Sequence, residues 1–273
     1  MWFGVLGLLV PTSFASPAMV TTTNGEVKLV LEDGKSDAAP ATPFLLKDGM
    51  QLKLLAGSQA VVLYNGTAKR LVGPATASTS TVEGGKAVSG AGKSGSMLDE
   101  LLSVQHSQAQ AGAHRGGVEL VRPVPGGDLL SLREIRWKCE ACGEQKVEVV
   151  DFLEGETVWS SKGSGSVVYA GPELTGDTYQ IAVGDERFTV YLAGEGKKKM
   201  LARAKEAAAD PVAVLEAQND PVGATSVLTG LYALIGLESE ALYLVDAKVA
   251  EHPDQSGYAA IRDGLEQRTF PSK

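Results

Sequence analysis

At 273 residues, 44% of them apolar, with a formal net charge of −8, the chain is long enough for two or three small domains and too apolar for wholesale disorder. The only cationic run is Lys197 to Lys199, which reads as a solvated helix start. This argues against a nucleic-acid partner, because phosphate recognition relies on clustered Lys and Arg.

Residues 1–18 hold an apolar segment from Trp2 to Val10, a proline at Pro11, and small residues through Ala15 to Ala18. That is the pattern of a secretory signal peptide, too short to span a bilayer as a mature helix, although a basic leading segment is missing. Export is therefore expected, and no transmembrane helix of the chain's own is expected once the signal is removed. A buried strand of a cytosolic protein is the other reading of the same segment.

Residues 19–83 read as a small all-β domain. Val27, Leu29 and Leu31 alternate with polar residues as in a half-buried strand, and Asp33-Gly34 ends it. An Ala/Pro-rich stretch leads to Phe44 to Leu46 and a turn at Asp48-Gly49, followed by short strands over Gln51 to Leu55 and Ala60 to Tyr64. Asn65-Gly66 then sits between two strand patterns, where a type I′ turn needs φ > 0 at both central positions. This hairpin organises the domain, and its tip is a candidate interaction point. Its second strand closes at Gly73-Pro74, since proline cannot donate to a ladder.

The order Gly25-Glu26-Val27, Leu46-Lys47-Asp48-Gly49, Ala60 to Leu63, Asn65-Gly66 and Leu71-Val72-Gly73-Pro74-Ala75 resembles the FecR-like domain of bacterial envelope proteins. The resemblance covers about sixty residues and rests on turn glycines and alternating apolar positions. It implies an extracytoplasmic β domain used in signalling or binding, with no catalytic residues to carry over. The best-known members place a sigma-regulating segment and a membrane helix before this domain, whereas only the signal-like segment precedes it here.

Residues 84–128 read as a Gly/Ser linker holding a short amphipathic helix over Met97 to Gln110, then loop from Gly112 to Gly127. Residues 129–193 read as a second β domain. Ile135 with Trp137, Val147 to Asp151, a turn at Glu154-Gly155, then Val158-Trp159, Val167 to Tyr169, Pro172 to Leu174, Thr178 to Ile181 and Phe188 to Val190 mark six or seven short strands. Their alternation and inward aromatics loosely resemble an immunoglobulin-like sandwich.

Residues 194–273 switch to helical periodicity. Met200 to Ala217 is broken at Asp210-Pro211, and Pro221 to Leu234 and Glu238 to Glu251 form two helices parted by Gly236. Leu228, Tyr232, Gly236, Ala241 and Pro253 fall at the spacing of one tetratricopeptide repeat, although Thr229 and Lys248 depart from that pattern. A single repeat cannot bury its own face, so a short helical cap is expected. Leu228, Tyr232 and Ala241 are candidate interaction residues of a helical groove, with core packing the plainer role for them.

Few motifs carry chemistry. Cys139 and Cys142 read first as one structural disulfide closing a turn, contributing roughly 2 kcal/mol in the chain-entropy model. A redox pair would sit at a helix N-terminus, and zinc would need more ligands than His106 and His114 supply. Ala87 to Ser94 fits the relaxed Walker A spelling through Lys93 but follows no buried parallel strand, so it reads as linker. No catalytic, cofactor or metal site is expected.

The sequence therefore points to a multidomain, mainly β protein, a FecR-like domain plus an immunoglobulin-like β-sandwich, with a C-terminal α-helical hairpin region. Its expected role is non-enzymatic binding or scaffolding of an envelope protein or surface polymer in the periplasm or outside the cell. The alternatives are a signal-transduction subunit working with a separate membrane partner, and a thiol-disulfide oxidoreductase at Cys139 and Cys142.

Overall fold

The computed structural model describes residues 18–270, apart from 48, 65–66, 79–81, 84–85, 88–116 and 141. It is mainly β, with four sheets followed by four helices among the described residues.

The first unit contains ten strands: β1 (Ala18–Asn24), β2 (Val27–Val30), β3 (Ser36–Ala38), β4 (Phe44–Leu46), β5 (Gln51–Leu54), β6 (Gln59–Tyr64), β7 (Thr67–Val72), β8 (Ala75–Ser78), β9 (Val82–Glu83) and β10 (Lys86–Ala87). They form two facing five-stranded sheets, ordered β10-β7-β6-β1-β4 and β3-β2-β5-β8-β9. Val20, Leu29, Leu52, Leu54, Val62 and Leu71 fill the space between them. Gly73 follows β7 because nothing larger fits there: a Cβ would stand 1.9 Å from the Leu55 carbonyl oxygen.

The strand β6 is buried on both faces. Ala60 and Val62 point into the sandwich, whereas Val61 and Leu63 point the other way, against the helices. This is why the sequence runs Ala-Val-Val-Leu without alternation, as strands covered on both sides do.

The second unit contains β11 (Val118–Arg122), β12 (Asp128–Leu129), β13 (Glu134–Cys139), β14 (Gln145–Asp151), β15 (Thr157–Gly163), β16 (Ser166–Val168), β17 (Thr178–Val183) and β18 (Glu186–Leu192). A three-stranded sheet, β11-β13-β16, faces a five-stranded one, β12-β18-β17-β14-β15, with β12 parallel to β18. Trp137, Ile135, Val149, Ile181 and Phe188 are buried between them.

The helices are α1 (Glu195–Ala217), α2 (Pro221–Leu234), α3 (Glu238–Glu251) and α4 (Ser256–Thr269). Asp220 caps α2 by accepting from Gly223 N–H at 2.9 Å. The turn into α3 uses Gly236 at φ 78°, with Leu237 N–H donating back to the Tyr232 carbonyl at 2.9 Å. As expected from sequence, Gly236 parts two helices of the expected extents.

Several boundaries differ from the sequence reading. Ala18, assigned to the signal, is fully buried and begins β1, which the sequence reading missed. The stretch assigned to linker and loop contains β10, β11 and the start of β12. Two glycines and two prolines around Val118 to Arg122 disguised a five-residue strand. Pro172 to Leu174 forms no strand, because Tyr169 OH donates to Pro172 O at 2.7 Å within a turn. Helix α1 runs through Pro211 unbroken. The ring is buried, and packing of the flanking Ala207, Ala208 and Leu215 outweighs the roughly 3 kcal/mol cost of an interior proline.

Candidate functional site

The helices bracket both sandwiches, and this decides which surfaces stay free. Helix α2 lies on the outer face of the first sheet. Thr21 and Ser226 hydroxyls are 2.9 Å apart there, and the bare Gly230 lets the backbone approach Thr21 and Met19. The Arg70 guanidinium binds both Asp220 carboxylate oxygens, at 2.7 and 2.6 Å, and Gln59 Oε1 at 3.0 Å. Helix α3 holds the second sandwich in the same manner. Ser239 Oγ accepts from Val124 N–H at 3.0 Å, and Glu240 accepts from Leu130 N–H at 2.9 Å and from Arg133 at 3.1 Å. The Tyr243 hydroxyl donates to Glu134 O at 3.0 Å, and burial pushes its pKa up to about 12.

At the centre of this seam Arg122, fully buried, reaches from β11 into the helices. It donates to Asp246 of α3 at 3.3 Å, Glu266 of α4 at 3.0 Å and Val121 O at 2.9 Å. Lys197, expected to be solvated, instead donates to Ile235 O and pairs with Asp128 at 3.3 Å.

Glu238, in the first turn of α3, is 3% exposed, and its Oε2 has no hydrogen-bond partner. Burial holds its carboxyl above the usual carboxylate range; Arg268 and Lys197 pull it back only in part, and Asp128 adds to the rise. The native state therefore favours protonation of this carboxyl more than the unfolded chain does. Stability is full below the unfolded carboxylate pKa of about 4.3 and is lost as pH rises through the folded value. Glu238→Gln should accordingly match the parent in melting temperature near pH 4 and exceed it increasingly toward pH 8. A difference that stays flat across that range would refute this assignment.

Of the candidate interaction residues, Ala241 is fully buried against Tyr258 and Ile261 and offers no surface to a partner. Leu228 and Tyr232 are half-buried against the internal clusters. The helical groove is thus filled by the protein's own parts, the first sandwich on one side and helix α4 on the other. The tip residues Asn65 and Gly66 lie outside the described residues, as do Lys93, His106, His114, the helix expected over Met97 to Gln110 and the signal segment up to residue 17. His252 is exposed and stacks on Tyr258 at 5.8 Å.

Cys139 and Cys142 form a disulfide with Cα atoms 5.6 Å apart, joining the end of β13 to the turn before β14. The pair lies between strands, away from any helix N-terminus that would stabilise a thiolate.

A small cavity of about 60 Å³ opens between the first sandwich and the helices, lined by Thr22, Asn24, Gln59, Arg70, Val222 and Ala260. Its one cation, Arg70, is already held by Asp220 and Gln59.

The free surface with a distinct character is one end of the second sandwich. Phe152 is 50% exposed, Leu153 80% and Tyr191 41%. Phe152 N–H donates to Thr178 O at 3.2 Å, and Thr178 is paired with Tyr191, so the three residues make a cross-strand row. The β14–β15 turn is fixed by Asp151, whose Oδ1 accepts from Leu153 N–H at 2.9 Å and Glu154 N–H at 3.1 Å. The neighbouring loop is pinned by Tyr179 OH, which accepts from Thr175 and Gly176 N–H at 3.1 and 2.7 Å. Sequence reading took Glu154-Gly155 as a turn and stopped there. The signal was present in Asp-Phe-Leu-Glu-Gly, where two large apolar residues stand inside turn chemistry.

Comparison of the chain with protein-family models, with curated proteins and with solved structures finds no match.

Proposed function

We propose that the protein is a non-enzymatic, exported envelope module that binds a partner through the exposed end of its second sandwich. The observation that carries this reading is the placement of Phe152, Leu153 and Tyr191 together on a rigid, solvent-facing end while the helices' apolar faces are consumed internally. Scattered exposed apolar residues are ordinary, whereas a set aligned on one fixed end of a sheet points to an interaction site.

The immunoglobulin-like reading of this unit is supported by its strand order, three strands facing five with the early strands divided between sheets. It is also supported by Tyr179, whose hydroxyl meets backbone a few residues upstream as a tyrosine corner does. The FecR-like reading of the first unit is supported by Gly73-Pro74, which falls where the backbone must pass closest to Leu55. Export is supported by the disulfide, a bond that persists in oxidising compartments. Among the described residues no helix is long and apolar enough to cross a membrane.

Because Ala18 is fully buried in β1, signal removal has to fall before it, and Ala15 is the small residue placed for that cut. The test is the intact mass of the protein recovered from its host by cell fraction, alkylated without reductant. The expected species is exported, begins at Ser16 and carries no alkyl group on Cys139 or Cys142. A full-length cytosolic chain with two alkylated cysteines would overturn the reading.

A further inference from the structure

We infer that the exposed end of the second sandwich docks a cationic amphipathic protein segment, one presenting apolar side chains beside Lys or Arg. This rests on the binding role proposed above and specifies its partner. The apolar part is the row of Phe152, just past β14, and Tyr191 of β18, with Thr178 of β17 between them and Leu153 projecting at the turn. Strands lie about 4.8 Å apart, so two rings separated by one strand span about 9.6 Å, the footprint of one to two turns of a helix or of three extended residues.

The charge of the two loops beside Phe152 is one-sided, whereas beside Tyr191 the carboxylate of Asp128 is already paired with Lys197. From Asp151 to Thr157 and from Tyr169 to Thr178 the chain has five carboxylates and no Lys or Arg. The two loops adjoin, since the Cβ position of Gly176 is 3.2 Å from Asp151 Oδ2. Asp151 spends one oxygen on the turn, but Glu154, Glu156 and Asp177 have no ion-pair partner among the described residues. Apolar contact surrounded by unpaired carboxylates complements an apolar segment flanked by cations. The same carboxylates repel the anionic headgroups of a bilayer, which disfavours insertion of Phe152 and Leu153 into lipid.

Neither loop is floppy: Asp151 fixes one and Tyr179 the other, so docking orders little protein that is not already ordered.

The experiment is calorimetric titration of the disulfide-intact protein with a synthetic amphipathic Leu/Lys peptide, its Leu/Glu counterpart, and vesicles of phosphatidylcholine with and without phosphatidylglycerol. The Leu/Lys peptide is expected to bind, with affinity falling at least tenfold in F152S/L153S, which keeps every charge, and at least tenfold in E154Q/E156Q, which keeps every apolar group. The Leu/Glu peptide and both vesicles are expected not to bind. All four substituted side chains are exposed, so unchanged melting temperatures report an intact fold. The inference is overturned if the Leu/Lys peptide does not bind, if it binds F152S/L153S as well as the parent, or if vesicles bind instead. Such a failure leaves the mass measurement, and the export it reports, untouched.

Discussion

Replacing Arg122 by alanine is expected to destabilise the protein by about 3 to 5 kcal/mol, whereas Arg122→Met should lose roughly half as much. Arg122 is fully buried and joins three elements through Asp246, Glu266 and Val121 O. Alanine leaves a cavity and deprives two carboxylates of their common cation. Methionine refills most of the volume, Asp246 keeps Arg136 at 3.6 Å, and Glu266 can turn toward water. Arg133 provides the contrast. Its guanidinium is 57% exposed, and its buried partner Glu240 keeps the Leu130 N–H, so Arg133→Ala should cost less than Arg122→Ala, about 1 to 2 kcal/mol. Denaturant unfolding of the three variants checks the ranking. Equal effects at Arg122 and Arg133 would mean that the seam does not hold the units together.

The second large effect is expected at Gly73. An added methyl group would lie 1.9 Å from the Leu55 carbonyl oxygen and 2.8 Å from its carbon, and neither is a side-chain end that can swing aside. The β7–β8 connection has to move away from β5, and the hydrogen bond from Gly73 N–H to Ser58 O at 2.8 Å goes with it. Gly73→Ala should therefore cost about 3 kcal/mol, the upper end for overpacking. Gly143→Ala, where no atom lies within 4 Å, should stay within about 0.5 kcal/mol. A Gly73→Ala melting curve that overlays the parent would show that the close approach is not maintained in solution.

Gly73-Pro74 also shows what sequence can and cannot convey. Turn chemistry is local, so Asp33-Gly34, Gly73-Pro74, Glu154-Gly155 and Gly236 could be read directly, and with them most strands and the helical hairpin. The missed strands have non-local causes. β1 was hidden because Ala18, Met19 and Val20 continue the small and apolar residues of a signal-like segment. Only their pairing with β4 and β6 distinguishes them. β11 carries turn residues on both sides, and its stability comes from β13 and from the partners of Arg122. The groove residues were misplaced for a related reason. Apolar periodicity says that Leu228, Tyr232 and Ala241 share a buried side without saying what covers it, and a first sandwich more than a hundred residues upstream is a poor candidate by spacing alone. Phe152, Leu153 and Tyr191 were legible singly, but their meeting depends on the register between β14, β17 and β18.

The cover supplied by α2 has a temporal cost. Thr21 and Val61 meet Ser226 and Leu231, so the earliest sheet is completed by one of the last segments to be made. At about 5 to 20 residues per second, the 160 residues between Leu71 and Leu231 take roughly 8 to 32 s to synthesise. Throughout that interval Met19, Val61 and Leu63 have no native cover, and a newborn first sandwich is a sticky sheet awaiting its lid. A nascent chain of this design depends on being kept apart from its siblings, by a chaperone or by being threaded unfolded across a membrane, until its own tail arrives.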